Sequence, residues 1–218
     1  MIILAFADIH GDASCIHRVF KQEQHADVAL LLGDITNFGN QDAADKIVAA
    51  IEQHGVAVLG VHGNCDYGGV EQYLHLRSMS LHGRCIVRNG MAFLGAGFSL
   101  PCPGRTPGEI ADGRFAEYLA QAAADMPDGL PSVMVTHEPP FDTCADLAFT
   151  DEHVGSSAIR SFIEQRQPLA CFCGHIHEGA GLDRIGDTII VNPGPLRRGR
   201  YGWACIEAGT IEADIRNF

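Results

Sequence analysis

Lysine is nearly missing from this 218-residue chain: Lys21 and Lys46 are the only two, and 15 basic against 27 acidic side chains leave a formal net charge of -12. Neither lysine follows a glycine loop, and no G-x-G-x-x-G segment opens a helix, which excludes the phosphate-cradling loops of nucleotide-binding folds. The acidic balance argues against nonspecific attraction to nucleic acid or anionic membrane, which depends on Lys and Arg. No apolar run approaches the roughly 20 residues of a membrane span. The N-terminal MIILAFADIHGD has no basic leader and is soon interrupted by acidic residues, so it reads as a strand rather than a signal peptide, and a cytoplasmic location is expected. There is no G-x-S-x-G elbow for a serine hydrolase and no C-x-x-C pair. The eight cysteines are scattered, with Cys171 and Cys173 the only close ones, and are expected to be reduced thiols, mostly core fillers.

What is present is ordinary globular material: 46% hydrophobic and 19% charged residues, in a length that suits one domain over residues 1–218. Apolar runs of strand length recur at Ile2–Ala7, Val28–Leu32, Val56–Val61, Val133–Val135, Leu169–Phe172 and Thr188–Val191. Helical patterns fall between them at Ser14–Gln22, Gln41–His54, Glu109–Ala124 and Ser156–Gln165, and strands alternating with helices imply an α/β fold. Asn89-Gly90 and Gly186-Asp187 mark hairpins, so antiparallel strands join the parallel ones. Phe98–Glu109 holds three prolines and reads as a loop over a site.

The chemistry collects where the apolar runs end. Asp8-Ile9-His10 follows the first, Gly33-Asp34 the second and Gly63-Asn64-Cys65-Asp66 the third. The later runs end in His137, in His175 and His177, and in Asn192-Pro193-Gly194. Taken singly, each is ordinary: Asp at a strand end often caps the next helix, and His-x-His is often a polar turn. Six successive strands ending in groups of ligand type indicate one crevice, because neighbouring strands of an α/β sheet deliver their ends to the same place.

These elements, in this order and over most of the chain, resemble the calcineurin-like metallophosphoesterase family, whose pattern is D-x-H, G-D, G-N-[HC]-[DE], a strand ending in His, and G-H-x-H. The resemblance implies a four-layer α-β-β-α sandwich of two mixed sheets flanked by helices. It also implies two divalent transition-metal ions (Mn, Fe, Zn, Ni or Co, with manganese placed first). One would be held by Asp8, His10, Asp34 and His177, the other by Asp34, Asn64, His137 and His175. Asp34 would bridge, since a carboxylate has two oxygens for ions roughly 3.5 to 4 Å apart. Bridging water would then lose a proton and attack phosphorus in line, and the metal charge would attract phosphate to an acidic chain.

Where many relatives carry histidine after the metal-binding asparagine, this chain has Cys65, whose thiol, with a pKa of about 8.5, is a poor copy of imidazolium. Catalytic candidates are therefore Asn64, Cys65 and Asp66, with His153 as an alternative acid and a surface-loop histidine as its plainer explanation. Asp66 would orient the Asn64 loop or start the next helix. Arg197 and Arg198, after the N-P-G turn, are candidates for holding substrate phosphate, or a solvated basic loop. The expected partner is a small phosphate ester, phosphodiester before monoester, and a homo-oligomer is compatible with the sequence. A phosphomonoesterase, including a protein phosphatase, is the alternative, although no G-D-x-x-D-R-G segment is present. A protein-binding scaffold is the rival from another class, disfavoured because all seven expected ligands persist.

Overall fold

A computed structural model describes residues 1–218. The strands are β1 (Ile2–Phe6), β2 (Val28–Leu32), β3 (Ala57–Val61), β4 (Cys85–Arg88), β5 (Met91–Ala96), β6 (Ser132–Thr136), β7 (Ala170–Phe172), β8 (Gly181–Ile185), β9 (Thr188–Asn192), β10 (Arg200–Glu207) and β11 (Thr210–Asn217). The helices are α1 (Ser14–Gln22), α2 (Gln41–Glu52), α3 (Gly68–Leu76), α4 (Asp112–Ala124) and α5 (Ser157–Arg166). One sheet runs β11-β10-β1-β2-β3 and the other β4-β5-β6-β7-β9-β8. In each sheet the central strands are parallel, while β10, β11, β4 and β8 pair antiparallel.

The period-two alternation of each strand decides the layers. Ile3, Leu30, Leu59, Phe93, Val133 and Phe172 share a fully buried core between the two sheets. Their neighbours Leu4, Phe6 and Leu31 turn the other way, toward α1, α2 and α3. On the far side of the second sheet, Met134, Cys171 and Ile190 pack with Phe115 and Leu119 of α4 and Ile159 and Ile163 of α5. The order is thus helix, sheet, sheet, helix, as the resemblance implies. A strand covered on both faces must be apolar at every position, which is why these read as unbroken runs.

Both expected hairpins form. Asn89 and Gly90 both have positive φ (50° and 75°), a type I′ turn, whereas at Gly186-Asp187 only Gly186 does (60°), as type II′ requires. Three expectations are corrected. The second helix ends at Glu52 rather than His54, because the chain turns there: Gly55 has φ 74° and gives its N–H to Glu52. The fourth begins at Asp112 rather than Glu109, whose carboxylate instead accepts the Thr106 N–H and hydroxyl. All eight cysteines are free, but only Cys15, Cys171 and Cys173 are buried, so most are not core fillers. No helix is long and apolar enough to cross a membrane.

Candidate metal centre

All seven expected ligands meet at the C-terminal ends of the strands: Asp8 and His10 after β1, Asp34 after β2, Asn64 after β3, His137 after β6, and His175 and His177 after β7. Donor atoms of Asp8, His10 and His177 lie within 4.8 Å of one another, as do those of Asp8, Asp34 and His137, and those of His10, Asp34 and Cys65. His177 Nε2 is 3.4 Å from Asp8 Oδ1, and His137 Nε2 is 3.5 Å from Asp34 Oδ1. The His175 ring meets the His137 ring edge-on, with centroids 5.0 Å apart.

Local backbone geometry brings them together. Asp8, His10, Asp34 and His175 have φ of 51°, 49°, 46° and 65°, a left-handed conformation that L-residues adopt at a cost of about 1–2 kcal/mol each. Gly33 has φ 86°, and a Cβ there would stand 2.3 Å from His137 Nδ1, so the glycine lets His137 close onto the sheet. The loops are tied to each other: His10 donates its N–H to the Asp34 carbonyl (2.9 Å), and Gly174 to that of His137 (3.0 Å). Asn192 gives its amide N–H to the Ile176 carbonyl (2.9 Å), holding the loop between the last two histidines.

Asp66 is buried and accepts four hydrogen bonds: from the backbone of Gly63 (2.8 Å), Ile35 (3.1 Å) and Thr36 (2.8 Å), and from the Thr36 hydroxyl (2.7 Å). With its lone pairs so occupied, it clasps the Asp34 loop to the Asn64 loop, the orienting alternative of the two raised for it. His153 is not brought to the cluster. Its Nδ1 is 2.7 Å from the buried Asp146 carboxylate and its Nε2 3.8 Å from Asp142, so both nitrogens face partners of their own. The Asp146 contact raises its imidazole above the usual range. Arg198 donates to the His177 carbonyl (2.9 Å) at the rim of the cluster, and the Asp8 contact holds the His177 imidazole above its usual range against the opposing charges of Arg197 and Arg198.

Two observations test whether these residues fit cations. First, Asp8 is wholly buried and neither carboxylate oxygen has a hydrogen-bond partner. An uncompensated carboxylate in an apolar setting costs several kcal/mol, so the position calls for positive charge. Second, His137 Nδ1 is 2.8 Å from the Leu32 carbonyl, which can only accept, so Nδ1 carries the proton. Asn64 gives its amide N–H to Thr106 (2.9 Å), so its oxygen faces His137 Nε2 at 2.8 Å. Two lone pairs at that distance repel unless a proton or a cation sits between them. The residues fit a metal, and Nδ1 bonded to a backbone carbonyl is the usual support of a ligating histidine.

Burial and the neighbouring His137 lower the His175 imidazole to about 3, leaving it neutral with a free lone pair. Burial opposes ionisation of Asp8, but His177 and His137 outweigh it and hold its carboxyl low. Burial pushes Asp34 up, against the pull of His137. Burial and the Asp34 charge push the Cys65 thiol far up, so it offers a neutral sulfur to the cluster.

Sequence reasoning missed Glu138, although a carboxylate between His137 and two prolines was the available signal. It is 1% exposed, accepts the Leu100 N–H (2.8 Å), and lies 3.9 Å from His175 Nε2; burial raises it to about 8. It lines a cavity of about 440 Å³ with Leu100, Pro101, Cys102, Phe149 and His175, partly formed by the proline-rich loop. A second cavity, about 340 Å³ and lined by Phe20, His25 and His54, opens at the opposite ends of β1 to β3 and contains none of the cluster.

Residues 1–206 match the model of the calcineurin-like phosphoesterase superfamily domain. An uncharacterised protein of Methanocaldococcus jannaschii is 34% identical over 199 residues, 89% of this chain and 88% of that one. A cAMP/cGMP dual specificity phosphodiesterase of Mycobacterium tuberculosis is 24% identical over 172 residues, 76% of this chain but only 53% of its own length. A solved protein of Thermus thermophilus superposes with a TM-score of 0.73 over 98% of this chain and 97% of its own, at 18% identity, and so shares the fold. With the expected motifs gathered at the strand ends and the family model covering nearly the whole length, this chain belongs to the calcineurin-like phosphoesterase superfamily.

Proposed function

We propose that this chain is a dinuclear metal-dependent phosphoesterase acting on small phosphate esters, with phosphodiesters preferred. The observation that carries the reading is the buried Asp8 carboxylate with no hydrogen-bond partner, set among histidine nitrogens and sharing its surroundings with Asp34. Asp8, His10, Asp34 and His177 would hold one ion, and Asp34, Asn64, His137 and His175 the other, with manganese first among the candidates. When bound, such ions neutralise phosphoryl charge and make water nucleophilic near neutral pH.

The chain's own groups do the rest. Neutral His175, and His137 with its proton fixed on Nδ1, keep lone pairs turned to the centre. Arg198, anchored on the His177 carbonyl, and its neighbour Arg197 offer guanidinium to a phosphate at the rim. The cavity beside His175 receives the ester's alcohol portion. The side chain grouped with His10 and Asp34 that is neither a proposed ligand nor a cation is Cys65, a neutral thiol too weak to protonate a basic leaving oxygen. This favours esters of acidic alcohols, and a diester carries one negative charge fewer to neutralise than a monoester. The phosphodiesterase activity named for the mycobacterial relative agrees with that preference.

The test compares Mn-, Ni- and Zn-loaded protein on a bis-aryl and a mono-aryl phosphate, with Asp34→Asn as control. The expected result is faster diester cleavage and loss of both activities in the control. Equal turnover by wild type and control defeats the metal reading, and faster monoester cleavage replaces the diester preference.

A further inference from the structure

The loop Phe98–Glu109 contributes more than a cavity wall. Its Gly108 N–H donates to the Asn64 carbonyl (3.0 Å), and there is no room for a side chain at Gly108, where a Cβ would come within 2.7 Å of Asn64 Cα. Beside that contact runs a chain of three side chains. Asn64 Nδ2 is 2.9 Å from Thr106 Oγ1, and Thr106 Oγ1 is 2.8 Å from Glu109 Oε1.

The direction of this chain follows from donor chemistry. An ionised carboxylate only accepts, so Thr106 must give its single hydroxyl proton to Glu109. The Thr106 oxygen can then only accept from Asn64, and what it accepts must be the amide N–H. The Asn64 oxygen is thereby left facing His137 and the cluster. The opposite amide orientation has its own attraction, because an NH2 placed 2.8 Å from His137 Nε2 would bond to that lone pair and close the place to a cation. It would also require Thr106 to donate to Asn64, which takes the proton away from Glu109. Glu109 is kept ionised by hydrogen bonds from Cys102 and from the Thr106 backbone and hydroxyl, which hold its carboxyl below the usual range.

We infer that Thr106, polarised by Glu109, is a positioning residue that fixes the amide orientation of Asn64 and so decides whether that side chain presents an oxygen ligand or a blocking NH2 to the metal centre. The inference rests on the metal reading proposed above for the function of Asn64.

Three variants test it: Thr106→Val, of nearly equal shape, Thr106→Ser, which restores the hydroxyl, and Glu109→Gln, whose amide can donate to Thr106 and compete with Asn64. Titration of the metal-free proteins with Mn²⁺ should show two ions bound by wild type and Thr106→Ser. In Thr106→Val the weaker of the two should lose roughly 10- to 100-fold in affinity, the usual effect of removing a ligand's support, with Glu109→Gln intermediate. On a bis-aryl phosphate at fixed Mn²⁺ the loss should fall on kcat, with KM little changed. The melting temperatures of the metal-free proteins should agree within a few degrees, which separates orientation from folding. NMR of the metal-free protein gives a readout independent of metal: the Asn64 side-chain amide protons, assigned by their disappearance in Asn64→Asp, should lie beside the protons of residue 106 in wild type and beside the His137 ring Hε1 in Thr106→Val, where the NH2 has turned to the Nε2 lone pair. Wild type that binds no Mn²⁺ overturns the proposed function. Two-ion binding by Thr106→Val at wild-type affinity, or Asn64 amide protons that keep their wild-type neighbours in it, overturns the inference alone.

Discussion

Asp66 gives the sharpest measurement of how the site is held, because its carboxylate has no remaining capacity for chemistry. It accepts three backbone N–H groups and one hydroxyl from two loops, one carrying Asp34 and the other Asn64. An Asp66→Asn replacement keeps the shape but supplies one acceptor oxygen and one NH2. Turning the NH2 toward Thr36 is the less costly choice, since the hydroxyl there can rotate and accept. The Thr36 N–H then loses its partner inside the protein, which costs about 1–3 kcal/mol, and the bonds retained from Gly63 and Ile35 lose charge assistance worth about 1 kcal/mol each. The expected loss is about 4 kcal/mol, a large share of the 5–15 kcal/mol typical of a domain. Urea unfolding of the metal-free protein measures it: with a slope of about 2 kcal/mol/M the midpoint should fall by about 2 M at unchanged slope. Activity should fall with it, because Asp34 and Asn64 lose their common anchor. A variant that keeps its stability within about 1 kcal/mol yet loses turnover would refute this account and return Asp66 to the reaction itself.

Two further perturbations address charge. Asp8→Asn removes a buried carboxylate that has no hydrogen-bond partner; at alkaline pH, where His177 carries no charge, the metal-free variant should be about 1 kcal/mol or more stabler than wild type and should no longer take up Mn²⁺, and a lower urea midpoint would contradict this. His82 is lowered from the ordinary 6.5 to about 4 by burial, with His62 adding in the same direction. The folded protein therefore binds fewer protons than the unfolded chain between those values, so stability is intact above pH 6.5 and declines as pH falls toward 4, by up to about 3 kcal/mol. His82→Asn retains an acceptor for the Gly97 N–H, which His82 Nδ1 now accepts at 3.1 Å, and cannot titrate; its stability relative to wild type should rise by that amount between about pH 7 and 4, and parallel pH profiles would refute the assignment.

The parts of the molecule legible in its sequence are those where one physical cause acts alone. Strands β1, β2, β3, β6, β7 and β9 lie between layers, so burial on both faces leaves a signal that no surface requirement interrupts. The same reasoning passed over β10 and β11, which complete the first sheet. β11 alternates exposed and half-buried residues from Thr210 to Asn217 with charges interleaved, and its turn is Ala208-Gly209, where an alanine takes φ 49° in place of the expected Asn or Asp. Helix α3 was hidden by the two glycines that open it. At the site, residue types pointed to the proposed ligands because Asp, His and Asn at strand ends have few other reasons to recur. Supporting residues carry no such mark: Thr106 and Glu109 look like loop composition until the fold brings Thr106 back to Asn64 across 42 positions of sequence, and His153, which looked functional by type, was already committed to Asp146.

Strain and charge in the cluster belong to one argument. Four of the proposed ligands hold left-handed backbone at about 1–2 kcal/mol each, and the Asp8 carboxylate is buried with no hydrogen-bond partner, so the metal-free centre stores strain within a well-packed molecule. Groups outside the proposed ligand set hold these loops. Asp34 and Asn64 are held through Asp66, His137 through the Leu32 carbonyl and the bare Gly33, and the His175–His177 loop through Asn192. His137 and Asn64 are themselves gripped at Nδ1 and Nδ2, which leaves His137 Nε2 and Asn64 Oδ1 facing the centre, and the strain is already present before a cation arrives. A cation would then meet groups already in place, and the repulsion it would relieve between Asn64 Oδ1 and His137 Nε2, with the positive charge it would bring to Asp8, would add to its binding. On the metal reading, this is how a chain with a net charge of -12 would draw anionic esters to one place: the buried Asp8 and Asp34 carboxylates would be overcompensated by metal.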